Sequence, residues 1–412
     1  MTGTSLDKSK IKLLLLEGIH PRAVEAFRED GYTNIEYHPK AIPEPQLSAA
    51  IRHAYILGIR SATHINTQVL AHAPKLISIG CFCIGTDQVD LDAAQERGIP
   101  VFNAPFSNTR SVAELVVAEI IMLMRGIPYR HTMIHRGRWV KTASGCNEVR
   151  GKCLGIIGYG HIGTQVGLLA EAMGMRVYYY DIQTKLALGN AHPVSSLEAL
   201  LEMADVVTLH VPQTPQTYQM IGAGQLARMK PGTHLINAAR GTVVDMNALV
   251  QALQSKHLAG AAIDVFPSEP NTMEEEFSSP LRGMDNVLLT PHIGGSTEEA
   301  QQNIGLEVAG KLIKYSDNGS TLTAVNFPEV SLPAHPGMHR LLHVHRNQPG
   351  VLSEINAVFS EQEINIVGQY LQTNTRIGYV VIDIEAVERA KTMLVKRRLE
   401  KVGGTIRARI LY

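Results

Sequence analysis

The glycine pattern Gly158-Tyr159-Gly160-His161-Ile162-Gly163 constrains the fold of this chain more than any other feature. The apolar run Leu154–Ile157 before it predicts a buried strand, and the residues through Met173 predict a helix. A second predicted strand, Val177–Tyr180, ends at Asp181. Alone, such a pattern often marks only a turn, but between a strand and a helix its glycines let the backbone approach a pyrophosphate. The unit therefore predicts dinucleotide binding, and Asp181 favours NAD over NADP because its carboxylate would repel a 2′-phosphate.

The length and charge of the chain limit the classes of protein to which it can belong. With 412 residues it is too long for one hydrophobic core, so we expect two or three domains. Its 38 basic and 38 acidic side chains give a formal net charge of zero, so no overall field attracts it to nucleic acid or to a membrane. No segment approaches the roughly 20 apolar residues of a membrane span, and Met1–Lys10 lacks an apolar signal core. We therefore expect a cytoplasmic protein without nucleic-acid or membrane partners.

The cysteines indicate neither a metal site nor disulfides. None of them belongs to a C-x-x-C pair, so free thiols in a reducing compartment are the simpler interpretation, and no metal is expected. The cysteines are Cys81, Cys83, Cys146 and Cys153.

Short apolar runs alternate with helical patterns in both parts of the chain, which predicts parallel sheets covered on both faces. The strands predicted before the glycine pattern are Ile11–Leu16, Asn34–Tyr37, Ala54–Ile59, Leu76–Gly80 and Pro100–Phe102, with helices over Pro21–Glu29, Pro45–Arg52 and Ser111–Arg125. The strands predicted after it are Val206–Val211, His234–Ala238, Gly260–Val265 and Val287–Thr290.

A long helix predicted over Thr297–Tyr315 can carry the chain back to its first domain. We therefore expect an α/β fold with two doubly wound parallel-sheet domains. These are a flavodoxin-like substrate domain, 1–107 and 296–330, and a Rossmann NAD domain, 108–295, with a cleft between them. The turn-rich Asp317–Ser320 ends the helix, and prolines then mark a linker.

The pattern changes to β-α-β-β-α-β over residues 338–412, which predicts a small ferredoxin-like module. Its predicted elements are Leu341–His345, Gly350–Gln362, Ile364–Thr373, Tyr379–Ile384, Val387–Lys401 and Thr405–Leu411. The module contains no obvious catalytic cluster.

Loops after strands of the NAD domain offer the groups that a hydride transfer from an alcohol needs. His292 titrates near neutrality and can take the alcohol proton, and Glu269 would raise its pKa and fix its tautomer. Arg240 suits bidentate capture of a carboxylate, and Asp264 can contact the nicotinamide amide. Each residue also has a structural alternative. His292 can be a histidine with its hydrogen bonds satisfied at a strand end, and Glu269 an exposed loop acid. Arg240 can form a surface salt bridge, and Asp264 can cap a helix.

These residues resemble the catalytic set of the D-isomer-specific 2-hydroxyacid dehydrogenase family. Its arginine, glutamate and histidine occur here in the expected order after the glycine pattern, and the resemblance extends from the first domain to about Asn326. It implies that His292 is the acid/base, Glu269 its partner and Arg240 the clamp for the substrate carboxylate. It also implies an NAD site formed by Gly158, Gly160, His161, Ile162, Gly163, Asp181, His210, Val211, Pro212, Ala238, Ala239, Arg240, Asp264, His292, Gly294 and Gly295.

Further stretches resemble a serine-biosynthetic branch of this family that carries a C-terminal ACT domain. They are Ile59–Ser61, Gly80–Thr86, Phe102–Ser111, His210–Pro212, Ala324–Pro328 and His345–Leu352. This resemblance implies oxidation of 3-phosphoglycerate at C2 to 3-phosphohydroxypyruvate with NAD, and 2-oxoglutarate as an alternative substrate that is reduced to 2-hydroxyglutarate. Arg60 is the leading candidate for the phosphate, Ser61 and Asn108 for hydrogen bonds to it, and Lys141 for a contact across a subunit boundary.

The same resemblance implies feedback inhibition by L-serine and a homotetramer that pairs through its NAD domains and its ACT domains. His345, Asn347 and Asn365 match the effector positions, and their side chains offer donors and acceptors for a zwitterion. Two positions depart from the expected pattern. Ala62 replaces a second arginine, which makes Arg60 more important, and Pro336 replaces the first glycine of a Gly-Gly hinge, which stiffens it.

Two other functions stay open from the sequence. One is a dehydrogenase for another D-2-hydroxy acid with a different effector, and the other is a non-enzymatic NAD sensor, as transcriptional corepressors of this superfamily are. The ACT module favours a metabolic enzyme, and the zero net charge argues against direct DNA binding.

Overall fold

The computed structural model describes residues 7–270 and 274–412. By its internal contacts the chain divides into two compact units, Asn108–Ala300 and the remainder, Met1–Ser107 with Gln301–Tyr412. The C-terminal module therefore groups with the discontinuous first domain. The finer division into 1–107 with 296–330, 108–295 and 338–412 stays a prediction. Within the described ranges, no helix is both long enough and apolar enough to cross a membrane.

The first unit begins with a parallel sheet whose central strands are completely buried. Its elements are β1 (Leu13–Leu15), α1 (Pro21–Glu29), β2 (Ile35–Tyr37), α2 (Glu44–Ala50), β3 (Ile56–Ile59), α3 (Thr67–Ala71), β4 (Ser78–Cys81), α4 (Leu91–Glu96) and β5 (Val101–Phe102). The strand order is β2-β1-β3-β4-β5, and all pairs are parallel. Every residue of β1, β3 and β4 is buried, as a sheet covered on both faces requires. The predicted parallel sheet is confirmed.

The second unit contains a seven-stranded parallel sheet. Its elements are α5 (Thr109–Met124), α6 (Ile127–His135), β6 (Cys153–Ile157), α7 (His161–Ala172), β7 (Arg176–Tyr180), β8 (His192–Pro193), α8 (Leu197–Met203), β9 (Val206–Leu209), α9 (Ala223–Arg228), β10 (Thr233–Asn237), α10 (Met246–Gln254), β11 (Leu258–Ile263) and β12 (Val287–Leu289). The order β12-β11-β10-β9-β6-β7-β8 is that of a doubly wound dinucleotide-binding sheet, with the switch point between β6 and β9.

Two helices of this unit differ from the sequence prediction. Helix α5 begins at Thr109 rather than at Ser111, and Asn108 before it makes no side-chain capping bond. The predicted start of the helix was therefore two residues too late. Helix α6 was not predicted, because only Met133 in it is buried and its sequence shows no apolar stripe.

The chain returns to the first unit through α11 (Glu298–Asn318) and ends in the ACT-like module. Helix α11 extends past the predicted turn at Asp317 and stops at Asn318, because Gly319 takes the left-handed conformation with φ 81°. The module consists of β13 (Met338–Arg346), α12 (Val351–Ser360), β14 (Ile366–Thr373), β15 (Ile377–Glu385), α13 (Arg389–Leu399) and β16 (Thr405–Leu411). Its antiparallel sheet has the order β14-β15-β13-β16, so the predicted ferredoxin-like module is confirmed.

A buried arginine fastens the module to the rest of the first unit. Arg340 is fully buried and forms a bidentate ion pair with Asp383, with nitrogen–oxygen distances of 2.6 and 2.7 Å. Its Nη1 also donates to the carbonyl oxygens of Asn318 and Pro333. Losing Asp383 would leave the buried charge of Arg340 uncompensated. The two hydrogen bonds from Nη1 attach the module to the end of α11 and to the linker that follows it.

Candidate active site

The glycine turn joins β6 to α7, and its glycines meet different surroundings. Gly158 has φ 91°, and a Cβ there would lie 2.5 Å from the carbonyl oxygen of His210. A Cβ on Gly163 would collide with the carbonyl oxygen of Gly158. A Cβ on Gly160, in contrast, would meet nothing within 4 Å. Two glycines therefore permit tight backbone packing, and the third leaves open space at the N-terminus of α7, where a pyrophosphate fits.

Asp181 follows β7 and holds this turn through its carboxylate. Oδ2 accepts a hydrogen bond from the backbone N–H of Tyr159 at 2.9 Å, and Oδ1 accepts one from Gln183 at 2.8 Å. A carboxylate has about four lone-pair sites, so capacity for ribose hydroxyls remains. The position and charge of Asp181 therefore fit NAD.

His210, Val211 and Pro212 follow β9, on the other side of the switch point from the glycine turn. The His210 Nε2 lies 3.0 Å from Oγ1 of Thr208, and burial lowers the pKa of His210 to about 3. The ring is therefore neutral at physiological pH. Since the strand order reverses here, these residues lie in the crevice where a doubly wound sheet binds its ligand.

The loop after β10 carries Arg240 and is fixed at both ends. Asn237 donates through Nδ2 to the carbonyl oxygen of Arg240 at 3.0 Å and accepts the N–H of Ala239 at 3.1 Å. A Cβ on Gly241 would collide with the backbone of Phe266, so only glycine allows these two loops to pack together. The guanidinium of Arg240 is thus held on a constrained backbone.

Asp264, directly after β11, anchors the loop that carries His292. It is buried, and Oδ1 accepts hydrogen bonds from Thr290 Oγ1 at 2.6 Å and from the N–H of Ile293 at 2.8 Å. Oδ2 accepts the N–H of Gly294 at 2.8 Å. The sequence suggested a nicotinamide contact for Asp264, which stays a prediction, but did not indicate this anchoring. The hydrogen bond from Thr290 to Asp264 was not predicted either, although Thr290 is only two residues before His292.

His292 occupies this loop in an unusual backbone conformation. Its φ is 53°, in the left-handed region that costs a residue with a side chain of order 1 kcal/mol or more. Nδ1 lies 2.8 Å from Oε2 of Glu269, and Oε1 of Glu269 accepts the N–H of Phe266 at 3.0 Å. The imidazole is half-exposed. With Nδ1 occupied by the carboxylate, Nε2 is the nitrogen left to face a substrate.

The electrostatics of this pair suit proton transfer near neutrality. The hydrogen bond that Nδ1 of His292 donates to Glu269 raises the pKa of His292, against the opposing effects of burial and of the Arg240 charge. Burial raises the pKa of Glu269, but its hydrogen bonds from His292 and from the Phe266 backbone outweigh this, so the net pKa lies below its usual value. Glu269 therefore stays ionised while His292 gains or loses a proton. The positive charge of Arg240 lowers the pKa values of both groups.

The predicted substrate residues fall in both units. Arg60 and Ser61 follow β3 in the first unit, whereas Asn108 and Lys141 belong to the second. Asn108 is buried, and its Oδ1 has no hydrogen-bond partner among the described residues. Lys141 lies in the irregular segment between α6 and β6, near Trp139, which is 78% exposed. Within the described residues, no hydrogen bond or ion pair joins Lys141 to the His292 loop.

The predicted effector residues lie at opposite ends of the ACT-like sheet. His345 and Asn347 stand at the end of β13, where His345 pairs with Gly378. Asn365 stands just before β14, whose first residue, Ile366, pairs with Ile384. The two places are six residue steps apart along β15, from Gly378 to Ile384, which is roughly 20 Å at the usual strand rise. A single chain therefore does not bring Asn365 to the other two residues.

Two family models match parts of this chain. Residues 117–294 match the family model described as D-isomer specific 2-hydroxyacid dehydrogenase, NAD binding domain. Residues 341–407 match the AHAS small subunit-like ACT domain.

Two bacterial enzymes are similar to this chain over nearly their whole length. The chain is 63% identical to the D-3-phosphoglycerate dehydrogenase of Escherichia coli K12 over 412 residues, which is all of both chains. It is 60% identical to the Haemophilus influenzae enzyme of the same name, with 99% of each chain covered.

Solved structures give the same answer for the fold. The D-lactate dehydrogenase of Aquifex aeolicus with NAD and lactic acid has a TM-score of 0.64 and 28% identity, covering 74% of this chain and 95% of its own. A D-2-hydroxyisocaproate dehydrogenase has a TM-score of 0.68 and 26% identity, covering 77% of this chain and all of its own.

The sequence resemblance, the NAD-binding sheet and the C-terminal module are all accounted for by these relatives. The chain belongs to the D-isomer-specific 2-hydroxyacid dehydrogenase family, in the branch of its D-3-phosphoglycerate dehydrogenase relatives, with an NAD-binding domain and a C-terminal ACT domain.

Proposed function

We propose that the chain oxidises 3-phospho-D-glycerate at C2 to 3-phosphohydroxypyruvate with NAD, as the first step of phosphorylated L-serine biosynthesis. The observation that carries this proposal is the 2.8 Å contact between His292 Nδ1 and Glu269 Oε2 beside the NAD-binding sheet. This is an acid/base pair placed for hydride-transfer chemistry. The names of the relatives support the substrate.

In the oxidation, neutral His292 takes the C2 hydroxyl proton on Nε2, and Glu269 stabilises the imidazolium that forms. In the reduction, the same nitrogen returns the proton. Arg240 holds the substrate carboxylate with its planar fork and orients the C2 hydrogen. Bound NAD supplies the acceptor for the hydride, and the open space at Gly160 with the carboxylate of Asp181 fits its pyrophosphate and ribose.

In this proposal Arg60 binds the phosphate group of the substrate. Ser61, Asn108 and Lys141 are further polar groups at that end. The unpartnered Oδ1 of buried Asn108 supports a role in ligand binding, since a buried polar atom normally has a partner. A second carboxylate can replace the phosphate beside a cation, so reduction of 2-oxoglutarate to 2-hydroxyglutarate is part of the proposal.

Steady-state kinetics with matched substrates test this assignment. D-glycerate lacks only the phosphate of 3-phospho-D-glycerate, so the ratio of their kcat/KM values isolates the phosphate contribution. Charge-assisted contacts of about 1.5–3 kcal/mol each predict a preference of at least about 100-fold for the phosphorylated acid. Equal values for the two acids, or a preference for D-lactate, would reject the substrate and leave the dehydrogenase assignment standing.

Inhibition by L-serine and a homotetramer complete the proposal. Because Asn365 lies at the opposite end of the sheet from His345 and Asn347, a site using all of these residues requires two ACT modules side by side. Light scattering tests the tetramer.

The cytoplasmic location also remains a proposal, which cell fractionation tests.

Serine regulation is best tested by point substitutions in the intact chain rather than by truncation. The ACT sheet shares a hydrophobic core with the first domain, including Leu342 and Tyr379 packed with Leu312 and Tyr315, so truncation after Pro336 would expose this surface. Asn347→Ala is expected to raise the serine concentration for half-inhibition at least tenfold. Asn356→Ala on α12 is the matched control. Unchanged inhibition in Asn347→Ala would place the effector elsewhere.

A further inference from the structure

The loop after β3, residues 60–63, is held by side chains from two other loops of the same unit. It carries Arg60 and Ser61, the residues proposed for the substrate phosphate. The backbone groups of this loop are bound by Glu17, after β1, and by Gln88, after β4. Strands β1, β3 and β4 are neighbours in one parallel sheet, so the loops at their carboxyl ends converge.

Glu17 binds the far side of the loop with both carboxylate oxygens. Oε2 accepts the N–H of Ala62 at 2.9 Å, and Oε1 accepts the N–H of Thr63 at 2.9 Å. Glu17 has φ 63° and Gly18 has φ 61°. A left-handed glutamate is costly, and here the bend it creates accompanies two charge-assisted hydrogen bonds.

Gln88 binds the near side of the loop. Its side chain is buried, and Nε2 donates to the carbonyl oxygen of Arg60 at 2.5 Å. The backbone is thereby held at the carbonyl group of Arg60 and at the two residues that follow Ser61. The side chains of Arg60 and Ser61 remain available, whereas the N–H groups of Ala62 and Thr63 are used by Glu17.

We propose that Glu17 is a positioning residue for the phosphate end of the substrate, acting through the loop that carries Arg60 and Ser61; this rests on the function proposed above. Ala62 contributes no cation, so binding of the phosphate depends on where the single guanidinium of Arg60 is held. The N–H groups of Ala62 and Thr63 are bound by Glu17 and are not free to bind a phosphate. Recognition therefore comes from the side chains of Arg60 and Ser61, oriented by Glu17.

Glu17→Gln tests this with little change of shape. The amide keeps one acceptor but turns an NH₂ group toward the second backbone N–H, so one hydrogen bond is lost. We expect the KM for 3-phospho-D-glycerate to rise about 10-fold or more, the equivalent of one charge-assisted hydrogen bond. The KM for NAD and the melting temperature should stay near the wild-type values. Glu17→Asp keeps the charge and should restore part of the substrate KM.

Glu25→Gln is the matched control, because Glu25 is an exposed glutamate on α1 paired only with Arg22 among the described residues. It should leave all of these constants unchanged. Gln88→Met removes the hydrogen bond to Arg60, together with the contacts of Nε2 to Gly85 and Cys83, and should raise the same KM. If Glu17→Gln does not fold, Glu17→Asp tests the same contacts, because its shorter carboxylate also loosens them, and an unchanged substrate KM in Glu17→Asp would overturn the proposal.

Amide hydrogen exchange of residues 60–63 provides a readout that does not depend on turnover. Faster exchange together with a raised substrate KM supports the proposal. Faster exchange with an unchanged KM overturns it, because the loop would then be anchored by Glu17 without positioning the substrate. If the wild type uses another 2-hydroxy acid instead, the proposed function fails. The KM for that acid in Glu17→Gln then decides whether Glu17 positions its distal end.

Discussion

Oε2 of Glu269 lies 2.8 Å from Nδ1 of His292, and this contact sets both the tautomer and the proton affinity of the imidazole. His292 sits on a left-handed backbone, on a loop whose N–H groups are bound by the buried carboxylate of Asp264. A strained residue persists only where its surroundings fix it. The imidazole is therefore held by one carboxylate and its backbone by another.

Glu269→Gln is expected to move the pH dependence of the reaction. Glu269 raises the pKa of His292, so its neutralisation lowers that pKa. Oxidation needs neutral His292, and its kcat/KM should rise through the pKa at a lower pH than in the wild type. Reduction needs the protonated ring, so its activity should be lost at a lower pH as well. Rate profiles in both directions measure this shift.

Glu276→Gln is the control, because Glu276 is an exposed glutamate paired with Arg282. An unchanged pH profile in Glu269→Gln would contradict the role given to Glu269.

Asp264→Asn should lower kcat by about 10- to 100-fold, the range for losing a hydrogen bond to a charged acceptor. Asparagine cannot accept all three hydrogen bonds that Asp264 accepts from Thr290, Ile293 and Gly294. The His292 loop would then move away from its strained position. Asp245→Asn provides the comparison, because Asp245 also accepts two backbone N–H groups, at the start of α10. A normal kcat in Asp264→Asn would show that the loop holds itself.

Alanine at two glycines of the turn should separate cofactor binding from folding. Gly160→Ala places its methyl group in open space, so we expect normal stability and a KM for NAD raised at least about 10-fold where the pyrophosphate approaches. Gly158→Ala must adopt φ 91° next to the His210 carbonyl, so it should lose stability by about 1–3 kcal/mol. Melting temperatures and NAD titrations of both variants measure the difference. Equal effects on stability would refute the distinction.

The sequence predicted the parts of the molecule that follow from chain order. The glycine turn, Arg240, Glu269 and His292 each follow a strand of the NAD domain, and in a parallel sheet the carboxyl ends of strands meet at one edge. Their common location therefore follows from the order of strands and loops along the chain. The ACT module was predictable in the same way, from the order of its strands and helices.

The remaining features depend on pairings that sequence order does not encode. Asp264 anchors N–H groups near residue 293, and Glu17 anchors those at Ala62 and Thr63, contacts between segments far apart in the chain. Helix α5 starts two residues before the predicted Ser111, and α11 continues past the predicted turn at Asp317 to Asn318, where Gly319 ends it. The separation of Asn365 from His345 follows only from the strand register.

His292→Asn tests the central claim most directly. With phosphohydroxypyruvate and NADH as substrates, we expect kcat to fall by about 10²–10⁴-fold, the usual contribution of a general acid. Because the His292 ring is paired with Glu269 and is proposed to act on the substrate, NADH binding measured by fluorescence should change less than about threefold, well below one hydrogen bond in free energy. Near-normal turnover in His292→Asn, with NADH bound as in the wild type, would contradict the assignment of His292 as the proton donor and acceptor.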